Sequence, residues 1–123
     1  MVIDTSALLA IVFNEKDGPW FSEQMEKHRG SLLMSTVNLT ETLILIRSRQ
    51  AQLYEEIRER ISALSIRFVP PTVKQAEVAA EVRLVYPINL GDCFAYALAK
   101  EEDCPVLTTD SDFRKTDVPV VMP

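Results

Sequence analysis

The sequence has few of the residues that several common catalytic sites require. It contains one histidine, His28, and three glycines, Gly18, Gly30 and Gly91. A single histidine excludes zinc hydrolases built on paired histidines and argues against a Ser-His-Asp arrangement. Three scattered glycines cannot form a glycine-rich loop around a nucleotide phosphate.

Cysteines and long apolar runs are also scarce. Cys93 and Cys104 lack metal or redox spacing, so we interpret them as small buried apolar residues in a reducing compartment. No apolar run is long enough to span a bilayer, and the start "MVIDTSALLA" lacks the basic segment of a signal peptide. We therefore expect a cytoplasmic protein. The 123 residues fit one domain, 1–123, that needs no disulfide or structural metal.

Four acidic residues lie in separate, mostly apolar segments, where an unpaired charge is costly. They are Asp4 in "VIDTSAL", Glu41 in "NLTETLILI", Asp92 in "GDCFAYALAK" and Asp110 in "VLTTDSDF", with Asp112 close behind the last. The basic residues that could pair with them lie largely elsewhere in the sequence. A shared divalent cation would explain all four, and Mg²⁺ and Mn²⁺ prefer oxygen ligands of this kind.

Each of these acids also has a purely structural interpretation. Asp4 and Asp92 could cap helices, and Asp110 could be a turn residue. Glu41 has no basic residue three or four positions away, but it could be a lone surface glutamate. These alternatives stay open for each acid by itself. The coincidence of four acids at compatible positions favours a functional site.

The distribution of charge supports the same interpretation. The formal net charge is −5, from 18 acidic and 13 basic residues. Without the four acids and Asp112, 13 acidic residues remain and balance the 13 basic ones. The excess charge therefore equals the candidate site, where metal binding would cancel most of it. This balance is compatible with a nucleic-acid substrate.

Short apolar segments alternate with helical patterns along the chain. Strands are predicted at "MVID", "SLLMS", "IRFV", "PVLTT" and "VPVVM", the last at a sheet edge because Pro119 cannot donate to a ladder. Six helices are also predicted. The first runs from about Thr5 to Phe13, the second begins at Pro19, and the third follows a cap at Ser35 or Thr36. The fourth covers "AQLYEEIRERISAL", the fifth ends near Tyr86, and the sixth covers "DCFAYALAKEE". Uniformly apolar strands between helices are typical of a short parallel sheet covered on both faces, a three-layer α/β/α sandwich.

Two helices carry more detailed predictions. In "AQLYEEIRERISAL", apolar residues recur at helical spacing and should share one buried face: Leu53, Ile57, Ile61 and Leu64. The helix that ends near Tyr86 begins with Thr72 and Gln75, which predict a capping box.

The predicted fold places the acids near one another. In parallel sheets, ligands bind beyond the carboxyl ends of the strands. Asp4 ends the first strand and Asp110 the fourth, while Glu41 and Asp92 lie on helices that could present them to the same edge. Nearby hydroxyl groups could orient ligands or water, or equally serve as helix caps and strand ends: Thr5, Ser6, Thr108 and Thr109.

The ordered set of segments resembles the PIN-domain family and, within it, the VapC-type toxins of prokaryotic toxin–antitoxin pairs. The resemblance covers nearly all 123 residues and rests on "VIDTSAL", the glutamate of "NLTETL", "GDCFAYALAK" and "VLTTDSDF". It implies an α/β/α sandwich and an endoribonuclease that uses Mg²⁺ or Mn²⁺. Asp4, Glu41, Asp92 and Asp110 match the family's catalytic acids, and Asp4, Asp92 and Asp110 would hold the metal.

The resemblance also implies supporting residues and partners. Ser6 matches a small hydroxyl residue two positions after the first aspartate, and Thr109 is a second candidate for support. Asp112 matches a more variable acid, so either Asp110 or Asp112 could fill the last position. Proteins of this kind look like homodimers, inhibited by a small antitoxin whose tail enters the acidic groove. The apolar run 43–46 could be buried core or part of such an interface.

The proposed chemistry is attack of a metal-activated water on an RNA phosphodiester, leaving a 5′-phosphate and a 3′-hydroxyl. Five basic residues could contact the RNA backbone or could be solvated surface charges: Arg47, Arg49, Lys100, Arg114 and Lys115. The competing functions are a housekeeping RNA-processing or structure-specific nuclease and a non-catalytic binding module. A phosphoacceptor receiver domain fits poorly. It requires an aspartate at the end of a middle strand, where this chain has "FVPPT", and a lysine at the end of a late strand, where this chain has "LTTD".

Overall fold

The computed structural model describes residues 1–123 and contains five short strands in one sheet. The strands are β1 (Val2–Ile3), β2 (Leu32–Ser35), β3 (Ile66–Val69), β4 (Val106–Leu107) and β5 (Val120–Val121). They lie in the order β3-β2-β1-β4-β5, and every neighbouring pair is parallel. The five predicted strands and the parallel sheet are therefore confirmed, with "VPVVM" at an edge.

Six α-helices connect the strands. They are α1 (Thr5–Val12), α2 (Gly18–Lys27), α3 (Thr36–Arg49), α4 (Tyr54–Ala63), α5 (Val73–Val85) and α6 (Leu90–Glu102). Each corresponds to a helix predicted from the sequence. Gly30, shortly after α2, has a φ of +90°, a left-handed conformation that glycine adopts without a steric cost.

The two faces of the sheet pack into separate apolar cores. Ile3 and Leu107 point into a core completed by α1, α2, α3 and α4. Val2 and Val106 point into a second core completed by α5 and α6. Because both faces are covered, these strands show no polar alternation, as expected for a buried parallel sheet. This arrangement confirms the predicted three-layer sandwich.

The apolar face predicted for "AQLYEEIRERISAL" is only partly correct. Ile57 and Ile61 are buried, but Leu53 and Leu64 are 46% and 36% exposed. Residues 51–53 form a separate 3₁₀ turn before α4 begins at Tyr54, and Leu64 lies beyond the last helical residue. The change of turn type alters the angular spacing, which the sequence pattern alone does not reveal.

The helix caps also differ in part from the prediction. Ser35 caps α3, and Thr72 caps α5 by accepting a hydrogen bond of 3.1 Å from the Gln75 N–H. The Gln75 side chain does not return this bond, because its amide donates to Glu101 on α6 instead. The predicted capping box therefore forms only halfway.

Two further features concern the cysteines and the apolar character of the helices. Cys93 is buried and Cys104 is half-buried, and both are free thiols. None of the six helices combines the length and the apolar character needed to cross a membrane.

Candidate active site

The carboxyl edge of the sheet brings the four predicted acids together. Asp4 follows β1 directly, and Asp110 lies in the loop after β4. Glu41 projects from α3, and Asp92 lies in the first turn of α6. Burial, together with the negative charges of Asp4, Asp110 and Glu41, raises the pKa of Asp92 to about 8. The Thr108 hydroxyl also bonds both Asp4 and the Asp110 N–H, and the Glu41 carboxylate lies against Gly91, the neighbour of Asp92. The four carboxylates therefore share one region of the molecule.

Asp4 is the most deeply buried of the four acids and is 1% exposed. Its Oδ2 atom accepts hydrogen bonds from the hydroxyls of Ser6 (2.8 Å) and Thr108 (2.9 Å). Its Oδ1 atom is buried without any hydrogen-bond partner. Burial raises the pKa of Asp4, and the two hydroxyl groups offset this only in part. Asp4 occupies the N-cap position of α1, but its side chain makes no capping hydrogen bond there, so capping does not account for this carboxylate.

A hydroxyl network joins the start of α1 to the loop after β4. The Ser6 hydroxyl accepts from the Thr109 N–H at 3.0 Å, and the Thr108 hydroxyl accepts from the Asp110 N–H at 2.9 Å. The hydroxyl of this loop that contacts Asp4 is therefore that of Thr108. Thr109 contributes its backbone N–H, while its side chain is exposed and makes no hydrogen bond within the chain, so the supporting role of its hydroxyl stays a prediction.

Asp110 and Asp112 differ in their surroundings. The Oδ1 atom of Asp110 accepts a bond of 2.9 Å from the Asp112 N–H and so caps a 3₁₀ turn, as its structural interpretation predicted. Asp110 forms no salt bridge, whereas Asp112 pairs with Lys115 at 3.0 Å near the surface. Of these two acids, it is Asp110 whose charge contributes to the raised pKa of Asp92.

Asp92 serves as a helix cap as well as a member of the acidic cluster. Its N–H donates to Asn89 Oδ1 at 2.8 Å, and its Oδ2 atom accepts from the Asn89 N–H at 3.3 Å, forming a complete capping box on α6. The capping interpretation of Asp92 is thus correct. It does not explain the raised pKa, which burial and the neighbouring carboxylates cause.

Glu41 is held by neutral donors rather than by a basic residue. Its Oε1 atom accepts from the Thr5 hydroxyl at 2.8 Å and from the Asn38 amide at 3.3 Å, while Oε2 has no partner within the chain. The side chain lies so close to Gly91 that a Cβ atom there would overlap the carboxylate. Glu41 is therefore not a lone surface glutamate. Asn38 and Gly91 were not identified from the sequence.

The donor chemistry of this cluster fits a hard divalent cation. All four acids offer carboxylate oxygens, none of the four has a basic partner, and the buried Oδ1 of Asp4 lacks a donor. The side chains are not preassembled, because no three carboxylates, histidines or cysteines lie close enough to hold an ion. Coordination would therefore require these side chains to move closer together.

Known proteins resemble this chain in both sequence and fold. Residues 1–119 match the family described as "PIN domain". Ribonuclease VapC30 of Mycobacterium tuberculosis is 33% identical over 129 residues, covering 98% of each chain. Ribonuclease VapC of Mycolicibacterium smegmatis is 37% identical over 132 residues, covering 98% of this chain and 99% of that protein.

Two solved structures show the same fold at low sequence identity. M. tuberculosis VapC20, described as a sarcin-ricin loop cleaving toxin, has a TM-score of 0.84 at 17% identity, covering 99% of this chain and 98% of that one. A chain of a toxin–antitoxin complex from Klebsiella pneumoniae has a TM-score of 0.75 at 20% identity, covering 99% and 96%. Because the family match spans residues 1–119 and relatives above 30% identity span nearly the whole length, this chain belongs to the PIN-domain family.

Proposed function

We propose that this protein is a divalent-metal-dependent endoribonuclease and the toxin of a toxin–antitoxin pair. One observation carries this proposal: four carboxylates without basic partners share one sheet edge, and the most deeply buried of them, Asp4, has an oxygen without a donor. Such a cluster is costly unless a cation binds to it. The names of the relatives, which are ribonucleases, support RNA as the substrate.

Asp4, Asp92 and Asp110 are the residues that would hold the metal. When bound, Mg²⁺ or Mn²⁺ would supply positive charge to the phosphodiester and lower the pKa of water. Ser6 and Thr108 fix Oδ2 of Asp4, so Oδ1 is the oxygen left for a ligand. Asp110 is a better candidate than Asp112 for the last position, because its charge acts on Asp92, whereas Asp112 forms an exposed salt bridge with Lys115.

Glu41 would orient the attacking water. Thr5 and Asn38 hold its Oε1 atom and leave Oε2 free to accept a hydrogen bond from that water. The water oxygen would lose a proton and form a bond to phosphorus as the bond from phosphorus to the 3′ oxygen breaks, and the leaving 3′ oxygen would take up a proton from solvent. The products would then be a 5′-phosphate and a 3′-hydroxyl.

The proposed partners are RNA, a small antitoxin and a second copy of the chain. A chain of similar fold occurs in a toxin–antitoxin complex, which supports an antitoxin as partner. The acidic edge would receive the antitoxin tail. A short neighbouring reading frame for a DNA-binding protein would support this assignment, and growth arrest on induced expression would separate a toxin from a housekeeping RNA-processing nuclease.

Metal removal and Asp4→Asn test the proposal directly. We expect EDTA to abolish cleavage of single-stranded RNA and Asp4→Asn to reduce it by about 100-fold or more, because the substitution removes the most deeply buried of the proposed ligands. Asp103→Asn is the matched control: Asp103 is exposed and has a φ of +49°, which asparagine tolerates well, and the change in charge is the same. Cleavage that persists in both EDTA and Asp4→Asn would dismiss the proposal.

A further inference from the structure

We infer that Asn38 and Gly91 are positioning residues that fix the carboxylate of Glu41 against the helix that carries Asp92. The inference rests on the proposed nuclease function and assigns two further residues to that site. Neither residue carries a charge, and neither would contact the metal. Their role follows from the contacts that they make with Glu41 and with each other.

Asn38 is completely buried on α3, where three acceptors surround its amide nitrogen. The Nδ2 atom lies 3.2 Å from the Thr5 hydroxyl oxygen, 3.3 Å from Glu41 Oε1 and 3.1 Å from the Gly91 carbonyl oxygen. Rotating the amide would turn its oxygen toward the Glu41 carboxylate and the Gly91 carbonyl, so the observed orientation is the favourable one. Asn38 therefore joins the start of α1, the middle of α3 and the first turn of α6.

This arrangement is not optimised for stability. The Oδ1 atom of Asn38 is buried without a hydrogen-bond partner, and an unsatisfied buried polar atom destabilises the folded state. An apolar residue of the same shape would avoid that cost. The benefit of asparagine at this position is geometric, since it fixes Glu41 Oε1 together with the Thr5 hydroxyl.

Gly91 supplies the space that the Glu41 carboxylate occupies. A Cβ atom at Gly91 would overlap both carboxylate oxygens of Glu41. Gly91 directly precedes Asp92, and its carbonyl accepts from the Asn38 amide. The same short stretch of α6 thus sets the position of Asp92 and limits where Glu41 can lie. Any displacement here would change the separation of these two acids.

If Asn38 served only to stabilise the fold, replacing another buried amide should have the same effect on activity. Gln75 offers this matched control. Gln75 is 1% exposed, its amide donates to Glu101 at 2.7 Å, and its Oε1 atom also lacks a partner. It is therefore a second buried amide with an orphan oxygen and a glutamate partner, but outside the acidic cluster. Asn38→Leu and Gln75→Met each replace the amide with an apolar side chain of similar shape.

Gly91→Ala tests the positioning role with a substitution that should not destabilise the fold. Alanine forms helices better than glycine, and the atoms in its way belong to the end of a flexible side chain. We expect the unfolding temperature of the metal-free protein to stay the same or rise. The displaced Glu41 should nevertheless impair the site, so this variant would be stable and poorly active.

The experiment compares Asn38→Leu, Gly91→Ala and Gln75→Met with the unmodified protein by RNA cleavage, Mn²⁺ calorimetry and thermal unfolding in EDTA. For the first two variants we expect kcat to fall by about 10-fold or more, with little change in KM. Their Mn²⁺ affinity should change much less, because Glu41 is not one of the proposed metal ligands. Gln75→Met should keep kcat and Mn²⁺ affinity. Combining Asn38→Leu with Glu41→Gln should add little to the loss caused by Glu41→Gln, because both act through one carboxylate.

Two outcomes would overturn the inference. In one, Asn38→Leu and Gly91→Ala keep the kcat of the unmodified protein. In the other, Asn38→Leu and Glu41→Gln have fully additive effects on kcat. Failure of the proposed function is distinguishable, since the unmodified protein would then show no metal-dependent cleavage at all.

Discussion

Asp4 and Asp92 are both buried acids in the same cluster, yet their oxygens have different partners. Asp4 receives two hydroxyl donors on one oxygen and none on the other, whereas Asp92 is tied to the backbone of its own helix. Neither has a positive charge beside it. Both pKa values are therefore raised, with burial as the largest cause, which means that the charged forms are poorly stabilised without a cation.

These pKa shifts predict an unusual pH dependence for the metal-free protein. In the unfolded chain Asp92 loses its proton near pH 3.8, but in the folded protein it keeps the proton up to about pH 8. The folded state binds more protons across this interval, so the free energy of unfolding should decrease as the pH rises through it. We expect the unfolding temperature in EDTA to be lower at roughly pH 8.5 than at roughly pH 6, by about 3 °C or more.

Asp92→Asn is the critical variant for this prediction. Asparagine keeps an acceptor for the capping bond but cannot ionise, so the decline with pH should become shallower. Asp103→Asn should leave the decline unchanged. Added Mg²⁺ should raise the unfolding temperature most at the high end of the interval, because it favours the charged carboxylates. An equally steep decline in Asp92→Asn would show that Asp92 does not cause it.

The residues of the site were not equally visible in the sequence. Charged side chains in apolar segments are exceptional, and this marked Asp4, Glu41, Asp92 and Asp110. Asn38 gave no such signal, because a single neutral amide in a helix is common and its burial depends on the packing of α1 and α6. The choice of Thr108 over Thr109 was hidden for a similar reason, since it depends on which side chain of the loop turns inward.

At the scale of elements, the N-terminus of α6 carries both a capping box and a residue of the candidate active site, Asp92. Asn89 accepts from the N–H three residues on, and Thr72 does the same for α5. The Asn89 box was missed in the sequence, whereas the Thr72 box was predicted and formed only halfway. Local spacing indicates which residues can cap a helix. It cannot show that tertiary contacts draw a side chain such as Gln75 toward another helix.

Asn89→Ala and Thr72→Ala should therefore differ in activity but not in stability. Each removes one capping bond, so each should lower the free energy of unfolding by about 1 kcal/mol. Only α6 carries a candidate metal ligand in its first turn, so Asn89→Ala should also lower cleavage, by at least about fivefold. Denaturant unfolding and RNA cleavage rates check both parts. Equal cleavage rates in the two variants would show that the Asn89 cap does not affect the role proposed for Asp92.

At the scale of the whole molecule, the sequence predicted the layers but not the order of the strands. Apolar strands between helices require a covered parallel sheet, whereas the order β3-β2-β1-β4-β5 depends on contacts far apart in the chain. Surface features were also hidden. In the run 43–46 only Ile44 is strongly exposed, while Leu84, Val85 and Leu90 are 90%, 71% and 65% exposed near the turn between α5 and α6.

These three exposed side chains lead us to expect that the proposed homodimer uses the turn between α5 and α6. Exposed apolar residues concentrated in one short stretch are typical of interfaces. Light scattering at micromolar concentration should give the mass of a dimer, and Leu84→Lys should shift it toward the monomer because a buried lysine is costly. Val73→Lys is the matched control, since Val73 lies at the other end of α5 and is 78% exposed. A monomeric unmodified protein would contradict the dimer, and an equal shift in both variants would contradict its placement at this turn.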